Sequence, residues 1–362
     1  MREHRILLVA DNVSLGIENG VVVEPAGRFD LELRLPGRAL LPGLINAHDH
    51  LHRNHYGRLG RPPYPNAYAW ADDIQRRCRT AIERGRTLPR RQALLTGAWK
   101  NLFAGVTTVV HHDVWETDFE GDFPLRVVRL DWADSLGLTP TLGNLPDRSF
   151  CLHLAEGTDL TAAREVHELK ARGLLDHRLL AVHGVGMNEA GIALFRAAGA
   201  ALVWCPTSNL FLLGQTVAAE MLAEGIDILL GSDSLLSGEG NLLDEIRVAR
   251  RLGLLCDRRL EAAVGETAAR RLALAEPSLD PGARADLVVL SRPLLEARAR
   301  DVELVIAAGA PRVAIPAIGA RLAEIGLPGR SMEFAGVRRW FNGPGPEDPL
   351  GITSREAVRR LA

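Results

Sequence analysis

Four short motifs hold the residues whose types and spacing suit chemistry. His48 and His50 close the apolar run LPGLINAHDH, with His52 two positions on. His153 and Glu156 lie three apart in HLAE, His183 ends LLAVH, and Asp233 sits in LLGSDS. A strand repeats every two residues, so His48 and His50 project together if their strand holds to its end. Imidazole is the commonest protein metal ligand. Taken alone, each residue has a plainer reading. His-x-His divides evenly between a metal pair and a polar strand end, a lone strand-end histidine is more often structural, Asp233 would serve as a cap, and Glu156 suits a helix's first turn. Their joint placement shifts the balance, because all four motifs end apolar runs. Three neutral imidazoles and a carboxylate suit a zinc-class ion. Such a site can keep a water and lower its pKa toward ~7.

The elements that must position these residues follow from the hydrophobic pattern. Segments 5–10, 20–24 and 29–35 read as short strands with glycine turns, and 39–47 as a buried strand leading into the histidines. Residues 54–66 form a loop rich in Arg, Gly and Pro, with Tyr56, Tyr64, Tyr68 and Trp70 nearby. It suits a surface excursion and a pocket wall equally. Strands are expected at 105–112, 125–130, 150–155, 179–184, 201–205 and 226–230. Helices are expected at 89–104, 161–173, 190–198, 216–225, 242–254 and 260–274. Alternating strands and helices argue for parallel βα units, whose strand ends open on one face. Seven of an expected eight strands can be placed; the unit between 130 and 150 is short or irregular. Strand character returns at 282–290 and 302–308, after which a helical segment and Gly/Pro breaks follow.

Composition narrows the class. The chain has 362 residues, 47% hydrophobic and 24% charged, with net charge −2. This is ordinary for a globular protein and points to no nucleic-acid or membrane partner. Cys78, Cys151, Cys205 and Cys256 are far apart and make no C-x-x-C, so reduced thiols and a cytoplasmic location are expected. No signal peptide or bilayer-spanning run is visible. The lysines are Lys100 and Lys170 alone. Position 171 is alanine, so His167-Glu168 does not open an H-E-x-x-H motif. There is no G-x-S-x-G elbow.

PGLINAHDH, GVTTV, HLAEGTD, VHGVGM, CPTSNLFLLG, LGSDS and GARADLVVL occur in this order. Together, over roughly residues 5–310, they resemble the amidohydrolase superfamily, nearest its cytosine-deaminase-like, chlorohydrolase-type branch of aminohydrolases. The resemblance implies an α/β fold: a distorted (βα)8 TIM barrel plus a small composite β-sandwich from both chain ends. The expected divisions are 1–40 and 276–316 for the sandwich, 41–275 for the barrel, and 317–362 as a C-terminal extension. It implies one divalent ion on His48, His50, His153 and Asp233, zinc first, with iron or manganese as alternatives. Glu156 would shuttle protons to the substrate's ring nitrogen and leaving group. His183 would hold or polarise water or substrate, and Asp233 would double as the base. Dinuclear relatives use a carboxylated lysine on a middle strand; neither lysine here lies at such a strand end, which favours one metal. The interval from GVTTV to HLAE is shorter than in typical members, so residues that shape the pocket there are missing or replaced.

The expected reaction is hydrolysis of a non-peptide C–N bond, first of all deamination of a nitrogen heterocycle. The alternatives are hydrolysis of a cyclic amide or of another amide or halide group, and a ligand-binding barrel without turnover. The substrate would be a small molecule, and a homodimer is compatible with the sequence. Weaker pocket candidates are His111, His112, Trp115 and Arg148. His52, His55, Ser208 and Asn209 read as supporting or turn-forming residues.

Overall fold

The computed structural model describes residues 4–138, 148–334 and 336–345. It opens with β1 (Ile6–Ala10), β2 (Ser14–Glu18), β3 (Val21–Val23), β4 (Leu31–Leu35) and β5 (Ala39–Pro42). Eight strands follow: β6 (Leu44–Asp49), β7 (Val106–His111), β8 (Arg126–Val128), β9 (Asp131–Ser135), β10 (Phe150–Leu154), β11 (Leu179–His183), β12 (Ala201–Trp204) and β13 (Asp227–Leu230). They pair in parallel within two sheets, β6-β7-β8 and β13-β12-β11-β10-β9. The sheets meet where the Asp233 N–H, just past β13, donates to the His48 carbonyl near the end of β6 at 3.1 Å. This is an α/β fold built on parallel sheets.

The region between 130 and 150 holds β9, two residues after β8 and with no helix between them. Its sequence, DWADS, has three polar residues in five and no β-branched one. Intrinsic propensity therefore does not announce it; pairing with β10, from Phe150 opposite Asp131 onward, holds it in place. Residues 139–147 of that interval lie outside the described residues.

The long excursion after β6 carries α1 (Ala67–Arg77), α2 (Arg79–Arg86) and α3 (Arg90–Leu102). The first two follow a stretch whose composition suits a loop. The Asn66 side chain caps α1 by accepting from Ala69 N–H, a cap hidden in a Pro-rich stretch. Later come α4 (Leu160–Ala171), α5 (Glu189–Ala197), α6 (Pro206–Leu213), α7 (Leu242–Leu252), α8 (Asp257–Ala263) and α9 (Glu266–Arg271). Two local readings change. The CPTSN segment, taken for a turn, enters α6 with Pro206 at the first position, where a fixed φ suits a helix start. The Glu245 carboxylate on α7 accepts from Thr207 N–H at 2.9 Å and from its hydroxyl, a cap supplied from 38 residues away. Segment 216–225, expected as a helix, contains only a 3-10 turn at Ala219–Leu222.

The chain then adds β14 (Leu287–Leu290), β15 (Val302–Ala307), β16 (Ala310–Ala314), α10 (Pro316–Glu324), β17 (Arg330–Phe334) and β18 (Val337–Phe341). A six-stranded sheet, β17-β18-β16-β15-β14-β5, shares one apolar core with the four-stranded sheet β3-β2-β1-β4. The segment expected as a C-terminal extension supplies two strands of the larger sheet; 346–362 lie outside the described residues. Strand β14 couples this unit to the parallel one. Leu287 and Val289 face the shared core, whereas Val288 and Leu290 face the larger core under the parallel strands. Among the described residues no helix is long and apolar enough to cross a membrane.

Candidate active site

Alternation decides which strand-end side chains meet. Along β10, Phe150, Leu152 and Leu154 pack outward against helices, while Cys151 faces the inner core. His153 shares the parity of Cys151. Likewise Val110 packs in the inner core and Val109 in the outer one, so His112 turns inward and His111 outward.

The result is a buried cluster. One potential ligand atom from each of His48, His153 and His183 lies within 4.8 Å of the others, and the same holds for His48, His50 and Asp233. His48 Nε2 is 3.7 Å, and His50 Nε2 3.9 Å, from Asp233 Oδ1. His183 Nε2 is 3.5 Å from Glu156 Oε1. Two of these residues lie in the left-handed backbone region, His183 at φ 76° and Asp233 at φ 50°, as does Ala155 (φ 53°) between His153 and Glu156. Non-glycine residues there cost about 1–3 kcal/mol each and persist only where the surroundings over-determine them.

Hydrogen bonds orient the rings. His112 Nε2–H donates to the Ala133 carbonyl at 2.7 Å, which leaves His112 Nδ1 as an acceptor for His48 Nδ1–H at 3.2 Å. The His48 Nε2 lone pair then faces the cluster, and that buried atom has no partner. His153 Nδ1 bonds Asp134 Oδ1 at 3.2 Å, and His183 Nδ1 bonds Asn209 Oδ1 at 2.9 Å. Each of these contacts fixes a tautomer with the other nitrogen free for the site. Asp233 accepts from Ser208 and Ser237 hydroxyls (2.8 and 2.6 Å) on one oxygen and from Ser234 N–H (2.7 Å) on the other. Glu165 of α4 accepts from Ala155 N–H at 2.6 Å and from Tyr68 OH at 2.6 Å, holding the turn that presents Glu156.

The two site carboxyls are driven apart. Burial, reinforced by the charges of Asp233, Glu165 and Asp134, raises Glu156 well above the usual carboxylic-acid range. Burial by itself would raise Asp233 too. The facing His48 and His183 rings and the Ser237 hydroxyl outweigh it and hold Asp233 well below. Burial lowers His48 and His50, and brings His183 to about 3, so all three are neutral at pH 7. Neutral imidazoles beside an ionised carboxylate are the protonation states a divalent ion requires. With the unpartnered His48 nitrogen, the cluster has the donor set to hold one.

A cavity of about 590 Å³ opens onto His50, His153, Glu156, His183 and Asp233. Tyr56, Tyr68 and Trp70 from the excursion after β6 line it, as do Arg53, Asp134 and Ser135. Tyr64 instead donates to Asp73 at 2.7 Å. The four weaker pocket candidates are not in its lining. His112 lies behind His48, stacked on His153 at 4.1 Å. His111 Nδ1 accepts from Leu51 N–H, because β7 turns it outward. Trp115 Nε1–H donates to Glu120, and Arg148 forms a bidentate pair with Asp131 on the surface (2.5 and 2.6 Å). His52, His111 and Asp113 form a second group, with His52 Nε2 3.3 Å from Asp113. Arg53 Nε lies 3.4 Å from the same nitrogen, a charge unfavourable to a cation there. Asp134 and Glu165 carry no motif signal, and Lys100 stands out in the sequence only as one of two lysines. Asp134 sits on the strand that propensity hides, and the other two lie on helices whose contacts the motifs do not reveal.

Residues 150–311 match the Amidohydrolase family. The chain is 40% identical over 98 residues to an aminodeoxyfutalosine deaminase of Deinococcus radiodurans, covering 26% of this chain and 23% of that protein. It is 34% identical over 112 residues to a 5-methylthioadenosine/S-adenosylhomocysteine deaminase of Pyrococcus abyssi, covering 29% and 26%. These matches span about a quarter of the length of the curated relatives. A solved structure of an adenosine deaminase from Xanthomonas campestris with bound zinc shares the fold. Its TM-score is 0.65 at 19% identity, over 88% of this chain and 96% of that one.

Proposed function

The chain carries an amidohydrolase-family domain, and from that premise we propose that it is a metal-dependent aminohydrolase that deaminates a small nitrogen heterocycle. One arrangement carries this reading: Glu156, whose pKa is pushed up, and Asp233, whose pKa is held down, face the same histidine cluster at the base of one cavity. Two titratable groups whose environments force their pKa values apart make an acid and a base. The relatives named above, two deaminases among the curated proteins, support the same reaction class.

In this reading His48, His50, His153 and Asp233 hold one divalent ion, zinc, which supplies Lewis acidity that makes water nucleophilic at neutral pH. Asp233 Oδ1, 3.7 Å from His48 Nε2, takes the proton of the attacking water. Glu156 donates its proton to the ring nitrogen, takes up the proton that the added hydroxyl loses as the carbonyl forms and passes it to the departing amine as the C–N bond breaks; the proton held by Asp233 then restores Glu156. His183, held by Asn209 and 3.5 Å from Glu156, orients the water or the polarised ring atom. Tyr68 and Trp70 supply flat apolar walls for a heterocycle. Lys100 is buried on α3, bonded to Asp49 and Ser232, which is consistent with one ion rather than two. The architecture we infer is a distorted (βα)8 barrel over 41–275 with a β-sandwich from both ends, in a cytoplasmic enzyme.

Turnover of a panel of aminopurines, aminopyrimidines, aminotriazines, cyclic amides and halo-heterocycles, followed by substrate loss together with ammonia and halide release, tests the assignment. Ammonia from at least one amino-heterocycle, with zinc near one equivalent, is expected. Turnover confined to cyclic amides or halides would replace the deaminase reading. No bound metal and no turnover on any class would remove the enzymatic one.

A further inference from the structure

A fully buried ion pair lies directly beneath the cluster. Lys100 of α3 is 3% exposed and Asp49, between His48 and His50, is 0% exposed. The Lys100 ammonium uses all three donors: Asp49 Oδ2 at 2.9 Å, Ser232 Oγ at 3.0 Å and the Asp233 carbonyl at 2.8 Å. Asp49 accepts further from Asn101 Nδ2 at 2.7 Å and Asn54 Nδ2 at 2.9 Å. Asn46 ties the two strand ends together, donating to Ser232 Oγ and Asn101 Oδ1 (both 2.8 Å) and accepting from Ser232 N–H at 3.0 Å.

We propose that Lys100 and Asp49 are positioning residues that set the ligating geometry of His48, His50 and Asp233. This inference rests on the metal reading above and adds a role for two residues that touch neither ion nor substrate. Packing alone does not account for the pair. Two charges without solvent are no better for stability than well-packed apolar residues of the same volume, so a buried pair calls for another reason. Its contacts supply one. Asp49 anchors the two-residue repeat that carries His48 and His50. Lys100 grips the backbone carbonyl of Asp233, the residue at φ 50° that must hold a left-handed conformation to turn its carboxylate toward both rings. The ammonium therefore couples the end of β6 to the turn after β13. A shift of either strand end would change the 3.7 and 3.9 Å separations between Asp233 Oδ1 and the two imidazoles.

The test is zinc affinity of the full chain, by competition with a chromophoric chelator, set beside circular dichroism of the metal-free protein at the same temperature. Lys100→Gln and Asp49→Asn should each weaken zinc binding roughly 10–100-fold, the range found when outer contacts of metal ligands are removed. The metal-free variants should still be folded at that temperature. A purely structural pair would lower the melting temperature and leave affinity in the folded variants within about 2-fold of wild type, which would overturn the inference. Should a single variant leave an unpaired charge and fail to fold, Lys100→Gln/Asp49→Asn removes both charges. The expected loss is again about 10-fold or more, and unchanged affinity, or failure of the double variant to fold, assigns the pair to stability instead. Wild-type protein that binds no zinc overturns the metal reading itself, so the two failures are distinct.

Discussion

At the scale of single residues, the proposed mechanism depends on two similar groups whose pKa values are pushed in opposite directions. Asp233 is buried and Glu156 nearly so, yet Asp233 accepts three hydrogen bonds and faces imidazoles whereas Glu156 feels the charges of three other carboxyl groups. Glu156→Gln keeps the shape and removes the proton. It should cut turnover by about 10²–10⁴-fold, the usual worth of a positioned acid, with zinc content near that of wild type by elemental analysis. If kcat survived the change, Glu156 would not be the proton donor. The raised pKa also gives a sign for pH. The donor form is lost as pH rises through the Glu156 value, so kcat should fall on the alkaline side. That limb should be missing from the residual activity of Glu156→Gln. Asp134 makes a separate prediction. It orients His153 through Nδ1, so Asp134→Ala should weaken zinc affinity by roughly 10–100-fold, measured by chelator competition. The motif histidines and Asp233 were readable because each ends an apolar run. Asp134 was not, because DWADS resembles no strand until β10 pairs with it.

Elements matter through how closely they approach. Helix α3 lies against the turn at Leu51–Arg53, and at Gly97 a methyl group would overlap the Leu51 carbonyl. Alanine improves helix propensity by about 1 kcal/mol, but overpacking costs about 1–3 kcal/mol. The overlap is with backbone, which has little room to yield, so the second effect should win. Gly97→Ala should lower the melting temperature, and displacement of the segment that follows His50 should weaken zinc binding as well. A second element-scale prediction concerns the α6–α7 contact. Burial raises Glu245 to about 8, despite its bonds with Thr207. An acid whose folded pKa exceeds its unfolded value leaves stability intact below about pH 4.5. Stability is then lost as pH rises toward about 8. Chemical denaturation of metal-free protein between those values should show that slope, and Glu245→Gln should flatten it. The sequence led to a turn at CPTSN because Ser, Asn and Pro favour turns locally. The cap that makes it a helix comes from Glu245, beyond the reach of any local pattern.

For the whole molecule, the coupling between the two cores is the governing feature. Strand β14 places Leu287 and Val289 in one core and Val288 and Leu290 in the other. Gly43 N–H also donates to Asp286 at 2.7 Å, at the point where β5 passes into β6. Zinc bound at the mouth should therefore stabilise the molecule as a unit. At a free ion concentration 100 times Kd, linkage gives about 2.7 kcal/mol. Removing the ion with a chelator should lower the melting temperature in a single cooperative transition followed by calorimetry. Early loss of the parallel unit, with the end sheets still folded, would contradict this coupling.

The sequence alone determined the alternation of strands and helices, the apolar runs that become β6, β7, β10, β11, β12 and β13, and the polar residues that end them. Those features depend on side-chain periodicity and hydrophobicity, which are written locally. Tertiary structure decided which nitrogen of each ring is free, which carboxyl is pushed up and which down in pKa, where β9 lies and that two charges sit beneath the cluster. Hydrogen-bond partners, burial and electrostatic fields arise between residues far apart in the chain. Lys100 and Asp233 meet at 2.8 Å across 133 positions, and no window along the sequence contains both.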